Sequence, residues 1–561
     1  MQANLTSLVR RARIPQEPTA LVFTSDGGVR AAQDGDEEDR VIEITTSHDM
    51  LPVPEDSPLR TWGAFSLVGY WLAEAFGISQ YQVASSAVSA GLSPGATIGA
   101  VLLGHFVISL ATAATGYIGC RYGINYPTLA RTAFGVHGTY VAVICRAVAA
   151  IIWFGTQTYQ GGQCVQVMLT AIWPSFARFP NHLPESAHVT SSMLLCFFIF
   201  YLIQLPLLWI HISKLKYLFA VKIVIMPIFG ITLFGWAVGR AHGFGPVFSK
   251  PTLIKDGRPA GVVFMSAFTS AIGPKATLAL NVCDFTRYAK SRRTVVWSNI
   301  FSLTFLVTLC AILGVVVTSA TETIYGKATW NPLQVSSLMD SRAAQFFSAL
   351  PWALSVLATN ISANSTAVGN DLMVMLPKYI NIRRGQYITA LLGLVTCPWI
   401  IQNSAKTFTS FLGGYTIFLA PIGGILYAEY YVLRHRQLSL PDLFVTHRSC
   451  YWYTGGFNWR ALVAFALGVV PSLPGFIRSI NASLGIPFAA VYVYSAVYPV
   501  GVVVAGGIYL VLSYAFPPAA LPSTFSALDY ADSLGGKTTH GSAAADDKEK
   551  ELGVDSAVVA A

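Results

Sequence analysis

The sequence predicts an all-α polytopic membrane protein that crosses the bilayer about twelve times, with its first and sixth crossings interrupted. Three observations carry this reading. Only 11% of the 561 residues are charged, 53% are hydrophobic, and the mean hydropathy is +0.54; a soluble chain carries about 25% charge. The apolar stretches reach the roughly 20 residues that a spanning helix needs, and the short alternating segments of a transmembrane barrel are missing. Two of these stretches break their own pattern at bilayer depth, around Gly77 and Ser79 and at Gly273-Pro274-Lys275.

Residues 1–58 mix Arg10, Arg11 and Arg13 with the acidic run Asp34-Gly-Asp-Glu-Glu-Asp39 and are expected to be a disordered cytoplasmic tail. They lack the apolar core of a cleavable leader. Trp62, just before the first apolar run, suits the membrane–water interface. Spans are expected near 62–90, 95–119, 137–172, 190–211, 215–238, 259–283, 295–320, 345–376, 385–403, 406–433, 460–478 and 486–515. In this division residues 59–434 are expected to form a ten-helix core and 435–516 a loop with two additional helices. Residues 517–561 are a second disordered cytoplasmic tail holding Lys537, Lys548 and Lys550.

The formal charge of +9 does not point to nucleic acid, because the basic residues sit in short inter-helix loops. Loops after spans two, four, six, eight and ten are the basic ones, densest at Arg287-Tyr-Ala-Lys-Ser-Arg-Arg293. The stretch 240–258, with Arg240, Lys250, Lys255 and Arg258, runs against the trend. The positive-inside rule then places both tails in the cytoplasm. Eight scattered cysteines form neither a zinc motif nor a disulfide framework. Sequons at Asn4, Asn360, Asn364 and Asn481 are read as chance matches, with Asn481 alone able to face outside.

Gly273-Pro274-Lys275 is the stretch around which the chain is organised. Pro274 lacks an amide donor and its ring crowds the preceding turn, so a helix break is expected there, and Gly273 adds backbone freedom. Lys275 puts an ammonium beside that break, where a charge costs about 3 kcal/mol on insertion scales and faces a protein or water cavity. The bland alternative is a proline kink whose lysine snorkels. In the first span, Glu74-Ala-Phe-Gly77-Ile-Ser79-Gln80 suggests a second unwound segment. Breaks at corresponding places suggest a five-plus-five inverted repeat with the site between them; the alternative is that glycine and serine simply permit close helix packing.

Trp153 and Gln157 in the third span are four apart and share a helix face. An indole gives a stacking surface and a carboxamide gives donors and an acceptor, a combination that fits a small planar heterocycle with amide edges. A core tryptophan beside an inter-helix hydrogen bond fits equally well. In the eighth span Asn360, Asn364 and Asp371 form a polar stripe that must face inward in lipid. Helix glue is the competing explanation, at about 0.6 kcal/mol per bond. Lys222, Glu74 and Glu429 are further intramembrane candidates. Asp284 and Arg287, three apart, are expected to pair as a gate or structural ion pair.

Four signatures, Leu59-Arg-Thr-Trp62, Trp153-Phe-Gly-Thr-Gln157, Asn281-Val-Cys-Asp-Phe-Thr-Arg-Tyr-Ala-Lys290, and Thr359-Asn-Ile-Ser-Ala-Asn364 with Asn370-Asp371, resemble the nucleobase–cation symporter-1 family. The resemblance is to its fungal Fur-type branch of uracil, allantoin and uridine permeases and covers nearly the whole membrane domain. It implies a LeuT-like fold, with Trp153 stacking on a substrate ring and Gln157 and Asn364 bonding its edges. Lys275 and Gly273 then lie at the substrate, and Trp62, Ser79, Thr359, Asp371, Asp284 and Arg287 act in coupling or gating. Sodium-coupled relatives carry two neighbouring hydroxyls in the eighth helix. Ala358-Thr359 supplies one, which favours a proton as the coupling ion.

The expected activity is proton-driven import of a nucleobase or related heterocycle by alternating access at the plasma membrane, with no cofactor and no bound metal. Alternatives are a vitamin or nucleoside carrier (thiamine, pyridoxine, uridine or nicotinamide riboside) of the same family, or a non-transporting nutrient sensor. The family resemblance also implies ubiquitination and endocytosis machinery as partners of the tails. No Ser/His/Asp set, metal motif or phosphate-binding loop marks an enzyme.

Overall fold

In the computed structural model the described residues are 20–23, 29–31, 41–43, 50–210, 215–249, 251–254, 257–377, 379–444 and 449–520. Arg10, Arg11, Arg13, Asn4, the acidic run 34–39 and the lysines at 537, 548 and 550 lie outside them, as do Lys250 and Lys255. Where the sequence reading expects a tail without fixed structure, there is a small antiparallel sheet. Its strands β1 (Ala20–Phe23), β2 (Val29–Ala31) and β3 (Val41–Glu43) lie in the order β2-β1-β3, with Leu21 opposite both Ala31 and Ile42. Short β-branched runs with Asp26-Gly27-Gly28 between the first two are hairpin composition, which charge counting over the whole tail hides.

The first span is interrupted as expected. Helix α1 (Ala64–Ala75) ends at Phe76, and α2 (Ile78–Ser89) begins after Gly77, whose backbone is extended. Next come α3 (Pro94–Tyr122), α4 (Tyr126–Phe134), α5 (Thr139–Ile172), α6 (Ser191–Leu207) and α7 (Leu215–Ala241). Pro94 sits in the first turn of α3, where its missing amide costs nothing, and Gly123 at φ +66° ends it.

The sixth span departs from expectation. Helix α8 (Ala260–Asn281) runs straight through Gly273-Pro274-Lys275, and the chain breaks helix only at Val282, before the short α9 (Cys283–Thr286). One proline removes a single backbone bond, which the helix tolerates among packed neighbours. Gly273 serves close approach instead of unwinding: a Cβ there would sit 3.0 Å from both the Cβ and the carbonyl oxygen of Leu412.

The seventh span joins α10 (Arg292–Phe301) to α11 (Val307–Tyr325) through a π-helical turn at Ser302–Leu306. After α12 (Pro332–Ser337), the eighth joins α13 (Arg342–Thr359) to α14 (Ala367–Met375) through a π turn at Asn360–Thr366. Then follow α15 (Ile382–Leu394), α16 (Pro398–Ile401) and α17 (Ala405–Tyr427), the last prolonged by a π turn at Ala428–Leu433. The chain closes with α18 (Trp459–Val469), α19 (Leu473–Ile480), α20 (Ala489–Ser495) and α21 (Val497–Ala515).

Among the described residues nine helices are long and apolar enough to cross a membrane, or ten if α18 and α19, bent by 42°, make one span. The other two expected spans are the interrupted α1–α2 and the shorter α15–α16. Small residues set the helix contacts, as they do where lipid gives no hydrophobic drive. A Cβ on Gly104 of α3 would meet the Phe268 carbonyl oxygen of α8 at 2.6 Å, and one on Gly424 of α17 would meet the Val502 carbonyl oxygen of α21 at 2.3 Å.

Arg60 ties the chain ahead of the first span to this bundle, donating to the carbonyls of Val53 (2.8 Å), Pro54 (2.8 Å) and Cys120 (2.6 Å). Trp62 lies beside it. Its amide donates to Tyr288 O (3.0 Å), its carbonyl accepts from Lys290 N (3.0 Å), and its ring packs near Tyr70 and Phe285.

Gly104→Ala and Gly99→Ala carry the same gain in helix propensity, yet only the first meets a neighbour, since nothing lies within 4 Å of a Cβ on Gly99. The expected outcome is a lower melting temperature in detergent for Gly104→Ala, by about 1–3 kcal/mol of overpacking, and none for Gly99→Ala.

Candidate functional site

A cavity of about 40 Å³ lies beside the interruption of the first span. Its walls come from four spans: Glu74, Gly77 and Ser79 from the first, Trp153, Gln157 and Gln160 from the third, Pro274, Lys275 and Thr277 from the sixth, and Ser355, Thr359 and Asn364 from the eighth.

The break frees backbone carbonyls that lipid cannot satisfy, and side chains from other spans reach them. Lys275 Nζ donates to the Glu74 carbonyl at 3.4 Å, and Ser355 Oγ donates to the Phe76 carbonyl at 2.6 Å. A cation at the C-terminal end of a helix is also stabilised by the partial negative charge of the helix dipole there. The Lys275 ammonium lies 5.9 Å from the centre of the Trp71 ring. Behind it, Lys222 Nζ of α7 donates to Thr359 Oγ1 at 2.5 Å, and that hydroxyl donates to Glu74 Oε1 at 3.3 Å. Ammonium, hydroxyl and carboxylate thus form one chain across the fifth, eighth and first spans.

The third and eighth spans supply amides. Asn364 Nδ2 donates to Gln157 Oε1 (3.1 Å) and to Asn360 Oδ1 (2.9 Å). Both amide hydrogens of Asn364 are therefore used, leaving its carbonyl oxygen as an acceptor, while Gln157 keeps its NH₂ as a donor. One acceptor and one donor side by side complement the C=O and N–H edge of a cyclic amide or ureide. Trp153, buried, lies between Gln157 and an aromatic group in which its ring meets Phe411 at 5.4 Å and Tyr415 at 6.3 Å between centroids.

Asn360 faces away from the cavity. Its Nδ2 lies within donating distance of Phe154 O (3.2 Å), Thr158 Oγ1 (3.1 Å) and Gln204 Oε1 (3.1 Å), sharing two hydrogens among three acceptors, so it binds helices together. The π turn at 360–366 explains why the expected stripe divides: its wider winding rotates Asn360, Asn364 and Asp371 onto different neighbours.

Two polar ties lie along α5 on either side of Trp153, seven residues away in each direction. On one side Ser79 Oγ donates to Gln160 Oε1 (3.3 Å), Gln160 Nε2 to Gln82 Oε1 (3.0 Å), and Gln82 Nε2 to Gln402 Oε1 (3.0 Å). On the other, fully buried Arg146 of α5 is salt-bridged to fully buried Asp371 and also donates to Ala367 O at 2.7 Å. The Asn281 carboxamide, oriented by its neighbours, accepts from Arg146 Nη1 at 2.9 Å, and the guanidinium stands 5.4 Å from the centre of the Tyr126 ring.

Several expected roles move. Gly273 packs against Leu412 of α17 and does not line the cavity. Asp284 does not pair with Arg287: its Oδ1 accepts from Tyr126 N at 2.8 Å, while Arg287 Nη2 donates to Tyr288 Oη at 2.6 Å. The backbone stays helical from Cys283 to Arg287, so the two remain three apart on one turn, but each side chain is taken by a different neighbour. Trp62, Asp284, Arg287 and Asp371 lie away from the cavity, whereas Ser79 and Thr359 line it. Glu429 sits elsewhere, accepting from Arg434 Nε (2.8 Å) and Tyr509 Oη (2.9 Å). Sequence reasoning did not single out Arg146 or the glutamine chain. A buried arginine within an apolar run was the signal for the first.

The architecture and its polar interior define a multi-pass membrane transporter of LeuT-like fold, ten core helices in two repeats with added helices. The solved structure of Mhp1, a nucleobase-cation-symport-1 family transporter in a closed conformation with bromovinylhydantoin bound, superposes with a TM-score of 0.67 at 20% identity, covering 87% of this chain and 99% of that one. Residues 52–501 match the family described as permease for cytosine/purines, uracil, thiamine, allantoin, and the chain belongs to that family. It is 32% identical to the allantoin permease of Saccharomyces cerevisiae over 491 residues (85% of this chain, 77% of the relative). It is 31% identical to the uracil permease of the same yeast over 489 residues, with the same two coverages.

Asp371→Asn leaves Arg146 buried without its counter-charge, and losing one partner of such a pair costs about 3–5 kcal/mol. The expected outcome is a large drop in thermal stability of the solubilised protein, followed by size-exclusion chromatography after heating. Arg146→Met combined with Asp371→Leu should recover most of it.

Proposed function

We propose that this chain imports a nucleobase-like heterocycle, of the uracil or allantoin type, across the plasma membrane by proton symport with alternating access, both tails being cytoplasmic. The observation that carries the reading is the free acceptor of Asn364 beside the free donor of Gln157, on the wall that also holds Trp153. The rings named for the relatives, uracil and allantoin, carry such amide edges.

The proton is favoured by Lys222. Its ammonium already occupies the one hydroxyl that the Ala358-Thr359 pair supplies, at 2.5 Å from Thr359 Oγ1. A sodium ion about 4 Å from that ammonium would meet a repulsion of roughly 4 kcal/mol at an effective dielectric of 20. A proton taken up by Glu74 would instead weaken the Lys222–Thr359–Glu74 chain and free the broken first span from its scaffold. Its release on the other side would restore the chain. Lys275, Asp371, Arg146 and Asp284 are the other charged groups in this part of the molecule.

Uptake of radiolabelled uracil and allantoin in cells lacking their own permeases tests the reading. Uptake of one of the two should rise at acidic external pH, fall to background with a protonophore, and ignore sodium. Trp153→Ala should lower it by at least about tenfold, the loss of about 1.4 kcal/mol or more of ring contact, with surface protein unchanged. Stimulation by sodium at fixed pH would reject the proton, and full uptake by Trp153→Ala would reject the site.

A further inference from the structure

A second cleft, of about 530 Å³, opens at the end of the molecule where the sixth span passes into the seventh. That volume is in the range of small-ligand pockets, about 300–1,000 Å³. Arg60, Lys290, Arg292 and Arg293 line it, with Glu55 as the one acidic residue. None of them belongs to the transport cavity.

We propose that this cleft binds the phosphorylated headgroup of an anionic phospholipid, with a phosphoinositide as the best fit. Arg60 is a fixed floor, its guanidinium held by the carbonyls of Val53, Pro54 and Cys120. Lys290 and Arg293 have no ion-pair partner among the described residues, and both are exposed. Arg292 meets Glu55 at 3.4 Å, with both side chains well exposed. Such a surface pair is worth about 0–1 kcal/mol, so a doubly charged phosphate can displace the carboxylate. Charge-assisted bonds to phosphate are stronger than neutral ones.

The source of the phosphate follows from what lies below the cations. Trp297, Phe301 and Phe305 follow Arg293 at intervals of four along the same helix and its π turn, and are 70%, 52% and 54% exposed. Phe65, on the adjoining α1, is 96% exposed. An apolar track that starts one turn from a basic cleft suits an acyl chain below its headgroup, and a soluble phosphate would have no use for it. In the orientation proposed above, on which the headgroup assignment rests, the sixth–seventh connection lies on the cytoplasmic side, where basic pockets at the ends of spans gather anionic headgroups. The bound lipid would join the chain ahead of the first span to the sixth–seventh connection, beside the Trp62–Ala289 bridge.

The test uses the full chain in phosphatidylcholine nanodiscs and a fluorescent short-chain phosphatidylinositol 4-phosphate. Binding should be saturable, weaken with salt, and lose affinity by about tenfold or more in Lys290→Gln/Arg293→Gln, at roughly one unit of surface attraction per cation. Arg240→Gln, remote from the cleft, should bind normally. Thermal melting without the lipid probe checks that the double variant is folded. A folded double variant that binds as well as the parent overturns the proposal. So does equal binding of a phosphatidylcholine probe, or competition by free inositol phosphate as strong as by the lipid.

Discussion

The structure depends on the carbonyls released where the first span breaks at Phe76 and Gly77. In water such groups would be hydrated. In a bilayer each must find a donor from the protein, at a penalty of several kcal/mol if it fails. Lys275 and Ser355 are those donors, so the sixth and eighth spans must approach the break closely. That requirement explains Gly273, which lets α8 lie against α17 while turning Lys275 toward the first span. It explains as well why a cation is tolerated at this depth: the half-helix end and the Glu74 carboxylate nearby give it a partner field. A polar, wettable cavity is then the by-product of satisfying a backbone.

How much of this is legible in the sequence varies with the range of the interaction. Glycine at 77, a lysine inside an apolar run at 275, and the pairs Trp153–Gln157 and Asn360–Asn364 are local patterns, and all of them mark positions in or near the cavity region. Partners are not local. Arg146 and Asp371 are separated by 225 positions, and no periodicity joins them. Pro274 is the instructive case. Local rules break a helix there, yet α8 continues, because packing on several sides outweighs one missing bond. The π turn at 360–366 is equally invisible, since Asn, Ser and Thr are compatible with either winding, and it decides which amide faces the cavity.

Buried polar groups in this fold divide by the number of bonds they complete. Asn360 makes four side-chain contacts to other helices and to Asn364, and is spent on structure. Asn364 and Gln157 each keep one unpaired function, and those functions border the cavity. Glu429 resembles Asn360: Arg434 and Tyr509 saturate it, and Arg434 in turn donates to Ala519 O at 2.8 Å, so this charge fastens the added helices to the core. A count of intramembrane polar residues would treat these alike. Their residual valence separates scaffold from site.

The same accounting makes the two ties on either side of Trp153 unequal. About 40 Å³ holds roughly three waters, each needing about 10–15 Å³ of probe volume, so a ring cannot enter without side chains moving. On one side movement breaks inter-amide bonds of glutamine, which average about 0.6 kcal/mol each inside membranes, and every partner can rotate to bond water. On the other it must part Arg146 from Asp371, two charges without solvent access, each of which would need rehydration as they separate. The glutamine tie is therefore the soft one. Parting Arg146 from Asp371 would need a compensating gain elsewhere, such as a ligand's contacts. On the alternating-access reading proposed above, bond chemistry gives an order of events: the amide tie would part readily, and the charged tie only when something bound has shifted the balance.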